Sequence, residues 1–331
     1  MKVVRDSSGE YGDCGYEYLD FEQHGDDSID EVLFYGYASG RNKKLIEQHS
    51  SFDRKIFYQG EQPCGFYSLR EKERLDSLYV GRNFDEVYTT CPYSAAWMNN
   101  LHNYDKYRTA IFPHNLKWAV QPDESPEKIL DVIYWGNVPN DSKIVKNIIE
   151  TIPKFKHNFF TLGLGMEQKY MDELAAKVGP FVTGVNVPRQ LMWERLKYSK
   201  IMVTANLLYL SGREVEATKT LPRWQENRAF SHIDNYLMPQ IKTRPIEAIF
   251  NKTLVLLKED PWHIFDHWFE PGEEFLYYKE DEDLEPMIRE ISQNWQNYEH
   301  ITQNAYNKAI KLYSSKELYN NMEKGQSEFK F

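Results

Sequence analysis

Lys242, Arg244 and Glu247 stand close together in the segment Lys242-Thr243-Arg244-Pro245-Ile246-Glu247-Ala248. A proline just inside a helix start, followed by an apolar run, sets these residues at a helix N-terminus, where unsatisfied backbone N–H groups and the dipole favour an anion. Lys242 and Arg244 add formal positive charge at the same place, so the segment suits a phosphate or a pyrophosphate. Glu247, about one turn further on, brings two acceptor oxygens that can take both hydroxyl protons of a ribose. The same carboxylate can also do no more than complement the helix dipole.

Weaker candidates surround this segment. Gly136-Asn137 leaves a strand, where it can let backbone amides approach a diphosphate or simply make a turn. Glu61 leaves another strand and can serve as a general base on a hydroxyl, or sit in an exposed turn. His24, His114, His232 and Asp234 compete for that role, and Glu61, His232 and Asp234 are taken as the catalytic candidates. No metal site is expected. His263 and His267 have ligand spacing, but Ile264 replaces the HExxH glutamate and aromatic residues crowd the segment. Asp281-Glu282-Asp283 belongs to an acidic run that opens a helix. Gly163-Leu164-Gly165 lacks the third glycine of a dinucleotide fingerprint and GxxxxGK[ST] is absent from the sequence, which argues against NAD enzymes and P-loop kinases.

These residues must be positioned by a repeating strand and helix pattern. Strands are expected at 31–38, 55–59, 86–90 and 109–112, with helices at 41–49, about 68–78 and from Pro92. After the polar connection 122–128 the alternation restarts, with strands at 131–135, 158–162, 181–183, 201–205, 253–257 and 274–278. The fold class is therefore α/β, two doubly wound Rossmann-like domains. The expected boundaries are residues 1–125 for the first domain with an irregular N-terminal arm at 1–29, 126–305 for the second, and 306–331 for a C-terminal helix and tail packing back on the first. Residues 206–242 are too long for an ordinary connection, and Trp224, Phe230 and Tyr236 mark them as ordered. Residues 284–313 read as one long helical stretch.

At 331 residues the chain exceeds the size at which single cores stop growing, about 250–300 residues, so two domains are expected. Forty basic against fifty acidic residues give a net charge of −10, the wrong sign for gripping a nucleic-acid backbone extensively. The opening residues lack a signal-peptide h-region and no apolar run suits a membrane span. Cys14, Cys64 and Cys91 are widely spaced, which fits a reducing compartment and a cytoplasmic location.

KTRPIEAIFNKTLVLLKEDPW, followed by FEPGEEFLYYKEDEDLEPMI, resembles the donor-binding half of GT-B glycosyltransferases, closest to the spore-maturation type of the group 1-like family. DVIYWGNV, residues 182–199 and FDEVYTTCPYSAAWMNN extend the resemblance to about two thirds of the chain. It implies two Rossmann-like domains facing across a cleft, the first holding the acceptor. It further implies transfer of a sugar from a nucleoside-diphosphate sugar, a UDP-sugar by preference, to a glycan or small-molecule hydroxyl, with neither metal nor cofactor required. Arg244 then corresponds to the phosphate contact and Glu247 to the ribose contact. The chain departs from the retaining pattern of two glutamates eight positions apart, since Pro239 lies eight before Glu247. That leaves stereochemistry open. Two alternatives also stay open: sugar addition to a modified nucleic-acid base, using Arg41, Lys43, Lys44, Arg70 and Arg82, and a non-catalytic assembly protein retaining the fold.

Overall fold

The computed structural model describes residues 2–5, 31–36, 54–59, 82–112, 114, 116–136, 138, 143–161, 167–179 and 189–324. Two compact units divide the chain. Unit 1 comprises Met1–Asn115, Leu207–Ile241 and Tyr313–Phe331, and unit 2 comprises Leu116–Asn206 and Lys242–Leu312.

Unit 1 begins with β1 (Lys2–Arg5), β2 (Glu31–Gly36), β3 (Arg54–Gln59) and β4 (Glu86–Thr89), then α1 (Pro92–His102) and β5 (Tyr107–Thr109). The five strands pair in parallel and in sequence order. Ile56, Phe57 and Tyr58 of β3 and Val87 and Tyr88 of β4 are fully buried, which is why these strands read as continuous apolar runs. β1 falls within the stretch expected to be irregular: four residues are too few to show a period, and only the ladder with β2 defines the strand. β5 lies two residues earlier than expected, because its parallel ladder with β4 ends at Thr89. The expected helices at 41–49 and 68–78 lie outside the described residues.

Unit 2 opens with β6 (Leu130–Trp135), α2 (Lys143–Thr151), β7 (His157–Phe160), α3 (Gln168–Val178), α4 (Arg189–Lys197) and β8 (Ser199–Ala205). The expected strand at 181–183 lies outside the described residues. The connection expected at a domain boundary belongs to this unit and is tied down within it. Lys252 Nζ donates to the carbonyls of Pro122 at 3.0 Å and Glu124 at 2.7 Å, and Tyr306 donates to that of Val120 at 2.6 Å. These bonds draw residues 120–124 into unit 2, so the division falls at 115/116 rather than 125/126.

After β8 the chain runs through β9 (Leu207–Tyr209), α5 (Gly212–Thr218) and β10 (Leu237–Pro239), with β9 and β10 pairing as an antiparallel ribbon. Ser211 and Glu214 form a capping box that starts α5. Leu210, Val215, Leu221, Phe230, Ile233 and Met238 share one core with Phe57, Phe84, Val87 and Trp97, so this excursion belongs to unit 1. Burial of a side chain such as Phe230 stabilises that arrangement by about 1.5–3 kcal/mol.

The chain returns to unit 2 with α6 (Thr243–Ile249), β11 (Leu254–Lys258), β12 (Leu276–Tyr278), α7 (Leu284–Gln293) and α8 (Glu299–Leu312), and α9 (Ser315–Glu323) closes unit 1. The expected single helix over 284–313 is broken at Asn294, where a short 3-10 turn carries Trp295 into a buried position. In unit 1, Arg54 donates to the Met322 carbonyl at 2.7 Å, one bond that holds α9 to β3. The described strands of unit 2 pair in parallel, in the order β12-β11-β8-β6-β7. Among the described residues no helix is long and apolar enough to cross a membrane.

Candidate functional site

The order of the unit 2 sheet points to a candidate site. Starting from β6, the chain first adds β7 on one side, then moves to the other side to add β8, β11 and β12 in turn. The direction of growth reverses between β6 and β8, and in open α/β sheets ligands bind outside the carboxyl ends of the strands at such a reversal. Gly136 follows β6 and Asn206 follows β8. The crevice is thus bounded by these two residues.

Gly136 is required by space. A Cβ there would lie 2.4 Å from the Tyr134 hydroxyl oxygen and 3.2 Å from Arg244 Nη1, so no other residue fits without displacement. The same contacts place the Arg244 guanidinium beside the end of β6, where it also lies 5.9 Å from the centre of the Trp135 ring. Tyr134 stacks on Phe159 at 4.7 Å, and burial pushes its phenol up to about 12, against the opposing pull of the Arg244 charge.

Lys242 is the N-cap residue of α6 and Arg244 lies in its first turn, as the position of Pro245 implies. The Lys242 N–H donates to Asn206 Oδ1 at 3.3 Å, which ties the helix start to the end of β8. Lys242 keeps some exposed surface as a residue, but its ammonium lies in desolvating surroundings. Burial first, and the Arg244 charge second, lower its pKa to about 7. Among the described residues neither Lys242 nor Arg244 pairs with a carboxylate. Three other lysines of the unit do, Lys258 with Asp281 at 3.3 Å, Lys200 with Asp131 at 3.1 Å and Lys308 with Glu274 at 2.7 Å, while Lys128 and Lys252 donate to main-chain carbonyls. Two cations that repel each other, with no carboxylate partner among the described residues, favour an anion between them. α6 is only seven residues long, so formal charge rather than helix dipole dominates the local field.

Glu247 lies on the same helix but is fully buried, rather than presenting its carboxylate openly at the helix mouth. The apolar packing of α6 explains this, since Pro245, Ile246, Ala248 and Ile249 are buried with it. His232 and Asp234 lie in unit 1, within the excursion, and Asp234 is exposed and paired with Lys219 at 2.6 Å. Glu61 and Asn137 lie outside the described residues, as do His24, Arg41, Lys43, Lys44 and Arg70. His114 is buried, with Nδ1 2.7 Å from the Phe112 carbonyl, and its backbone bridges to Ser314 in unit 1. His263 and His267 border a 3-10 turn instead of sharing an α-helix face, and His263 lies 3.2 Å from Asp266. Asp281 to Asp283 form a capped 3-10 turn that leads into α7. The structure therefore gathers Gly136, Lys242, Arg244 and Glu247 in unit 2. It adds Tyr134, Trp135 and Asn206, which the sequence did not single out although Asn206 ends a strand at the position the ligand rule favours.

Two Rossmann-like units define the GT-B class of fold. Residues 192–324 match the family described as glycosyl transferase-like, so the resemblance drawn from the sequence holds for the fold and for that segment. No curated protein sequence matches the chain. Among solved structures, TarM is 12% identical, with a TM-score of 0.56, over 89% of this chain and 54% of that one. Sucrose-phosphate synthase from Thermosynechococcus elongatus is 13% identical, with a TM-score of 0.58, over 89% and 72%. HepE from Anabaena, solved with UDP and glucose, is 13% identical, with a TM-score of 0.55, over 98% and 99%. The chain spans about half the length of TarM and nearly the whole of HepE.

Proposed function

We propose that this protein is a glycosyltransferase that moves a sugar from a nucleoside-diphosphate sugar to a hydroxyl of a glycan or small molecule. The observation that carries the reading is the uncompensated Lys242 and Arg244 pair beside Gly136, at the reversal of the unit 2 sheet. As the sugar leaves, negative charge grows on the diphosphate oxygens, and cations already fixed at that point stabilise the transition state without reorganising. Lys242 and Arg244 take that role, and Gly136 lets the main chain approach the phosphates. Glu247 receives the ribose hydroxyls, which requires the ribose to enter the volume around its buried carboxylate.

The solved complexes support a UDP-sugar as the donor, since HepE binds UDP and glucose and the pneumococcal O-GlcNAc transferase GtfA binds UDP and GlcNAc. Charge neutralisation by Lys242 and Arg244 makes the transfer metal-independent, so it should survive a chelator. Acceptor chemistry falls to unit 1, where Glu61, His232 and Asp234 are the candidate bases. A free buried thiol at Cys91 suits a reducing compartment, and we place the reaction in the cytoplasm.

The test is turnover. Purified protein is incubated with UDP-glucose and UDP-GlcNAc, with and without a chelator, across a panel of glycans and small alcohols. Release of UDP coupled to addition of a hexose mass is expected, and its loss in Arg244→Ala. Absence of release from UDP-sugars and from the corresponding GDP-, ADP- and CDP-sugars would reject the reading in favour of a binding protein that retains the fold.

A further inference from the structure

Asn206 is fully buried, and its Nδ2 has no hydrogen-bond partner. A buried amide donor left unmade carries its full desolvation cost, which marks a position where an acceptor is expected. The other end of the same amide is engaged: Oδ1 accepts from the Lys242 N–H at 3.3 Å. That bond fixes the assignment of the two atoms, because the flipped amide would face a donor with a donor. It also fixes where the unpartnered group lies. Nδ2 shares a carbon with Oδ1, so it is held near the Lys242 main chain just after β8, and being buried it meets a ligand only where the packing around it opens to admit one.

We infer that Asn206 is a further donor-binding residue, whose Nδ2–H donates to a phosphate oxygen of the nucleoside diphosphate held by Lys242 and Arg244. The inference rests on the functional reading above and adds a neutral donor to its two cations. Three features make a phosphate the fitting acceptor. The cations Lys242 and Arg244 are brought to the same end of the sheet, the amide is oriented by the same residue that carries one of the charges, and its place at the strand reversal is where phosphates are held in doubly wound sheets. Asn206 also joins the two chain ends of the 207–241 excursion through its bond to Lys242. The residue that closes the base of the excursion is therefore the one that reads the ligand.

The experiment observes the amide itself. Full-length protein is labelled with ¹⁵N at asparagine, the Asn206 side-chain resonances are assigned by triple-resonance spectra, and UDP is titrated in, with uridine as the phosphate-free control. UDP is expected to move the Nδ2 protons downfield and slow their exchange with water, while uridine leaves them in place. In parallel, Asn206→Ala is expected to weaken UDP binding about ten- to a hundredfold, the worth of a hydrogen bond to a charged group. Because the amide spectrum is read on the wild type, loss of folding in the variant does not decide the outcome. Unmoved resonances at saturating UDP, or an equal shift with uridine, overturn the inference while leaving the functional reading intact. If UDP, GDP, ADP and CDP all fail to bind the wild type, both fall together.

Discussion

Among the described residues each unit carries a parallel sheet of five strands, and the strand order reverses in unit 2 alone. In unit 1 the described strands pair in sequence order, β1 through β5, so the sheet grows in one direction. In unit 2 growth reverses between β6 and β8, the kind of position at which ligands bind in open α/β sheets. Charge follows topology. Lys219 and Asp234 in unit 1 neutralise each other at 2.6 Å, whereas Lys242 and Arg244 in unit 2 stand together without a carboxylate among the described residues. Similar strands can thus make a scaffold or a binding site, depending on where connections turn back and which charges are left uncompensated.

The sharpest way to break this contrast is to remove the cations. Lys242→Ala with Arg244→Ala should weaken UDP binding about 10²- to 10⁴-fold by calorimetry, at about 1.5–3 kcal/mol per charged hydrogen bond. An affinity within threefold of wild type would mean that the anion cradle is elsewhere.

Acidity gives the next largest effect. With its pKa held down to about 7, Lys242 is already protonated in the empty site below that pH and must take up a proton to meet the diphosphate above it. UDP affinity should therefore be highest below pH 7 and fall by about tenfold per pH unit above it, until the pKa of the bound state is reached. Lys242→Arg, which stays charged, should flatten the profile. An unchanged slope in that variant would assign the proton to another group.

Gly136→Ala should cost about tenfold in UDP affinity and about 1–3 kcal/mol in stability, because its methyl group meets the Tyr134 hydroxyl at 2.4 Å. Thermal melts and titrations of the variant would show both. The smallest expected effect on binding comes from unit 1: Asp234→Asn should leave UDP affinity within twofold. If Asp234 is the acceptor base, transfer in that variant should fall about 10²- to 10⁴-fold while binding holds. Unchanged transfer would move the base to His232 or Glu61.

Much of unit 2 was legible because its signals are local. Apolar runs marked β6, β8 and β11, and Pro245 with its neighbouring charges marked the start of α6. What was not legible depends on tertiary partners. Lys2–Arg5 is a strand only because β2 offers a ladder, and the helical stretch after Leu284 breaks so that Trp295 can be buried. The excursion reads as an ordered insertion, but its membership of unit 1 is decided by Phe230 and Met238 finding the core around Phe57 and Trp97. Asn206 escaped notice because a lone asparagine after a strand is ordinary turn chemistry, and only its unpartnered amide distinguishes it.

The central claim is that a nucleoside diphosphate binds at Lys242 and Arg244, and thermal stability tests it most directly. Wild type and Arg244→Ala are melted against UDP, GDP, CDP and ADP. A ligand present at about 100 times its Kd should stabilise the wild type by about 2.7 kcal/mol, seen as a raised Tm that the variant does not show. A rise of equal size in both proteins, or none in wild type with any of the four, would contradict the account.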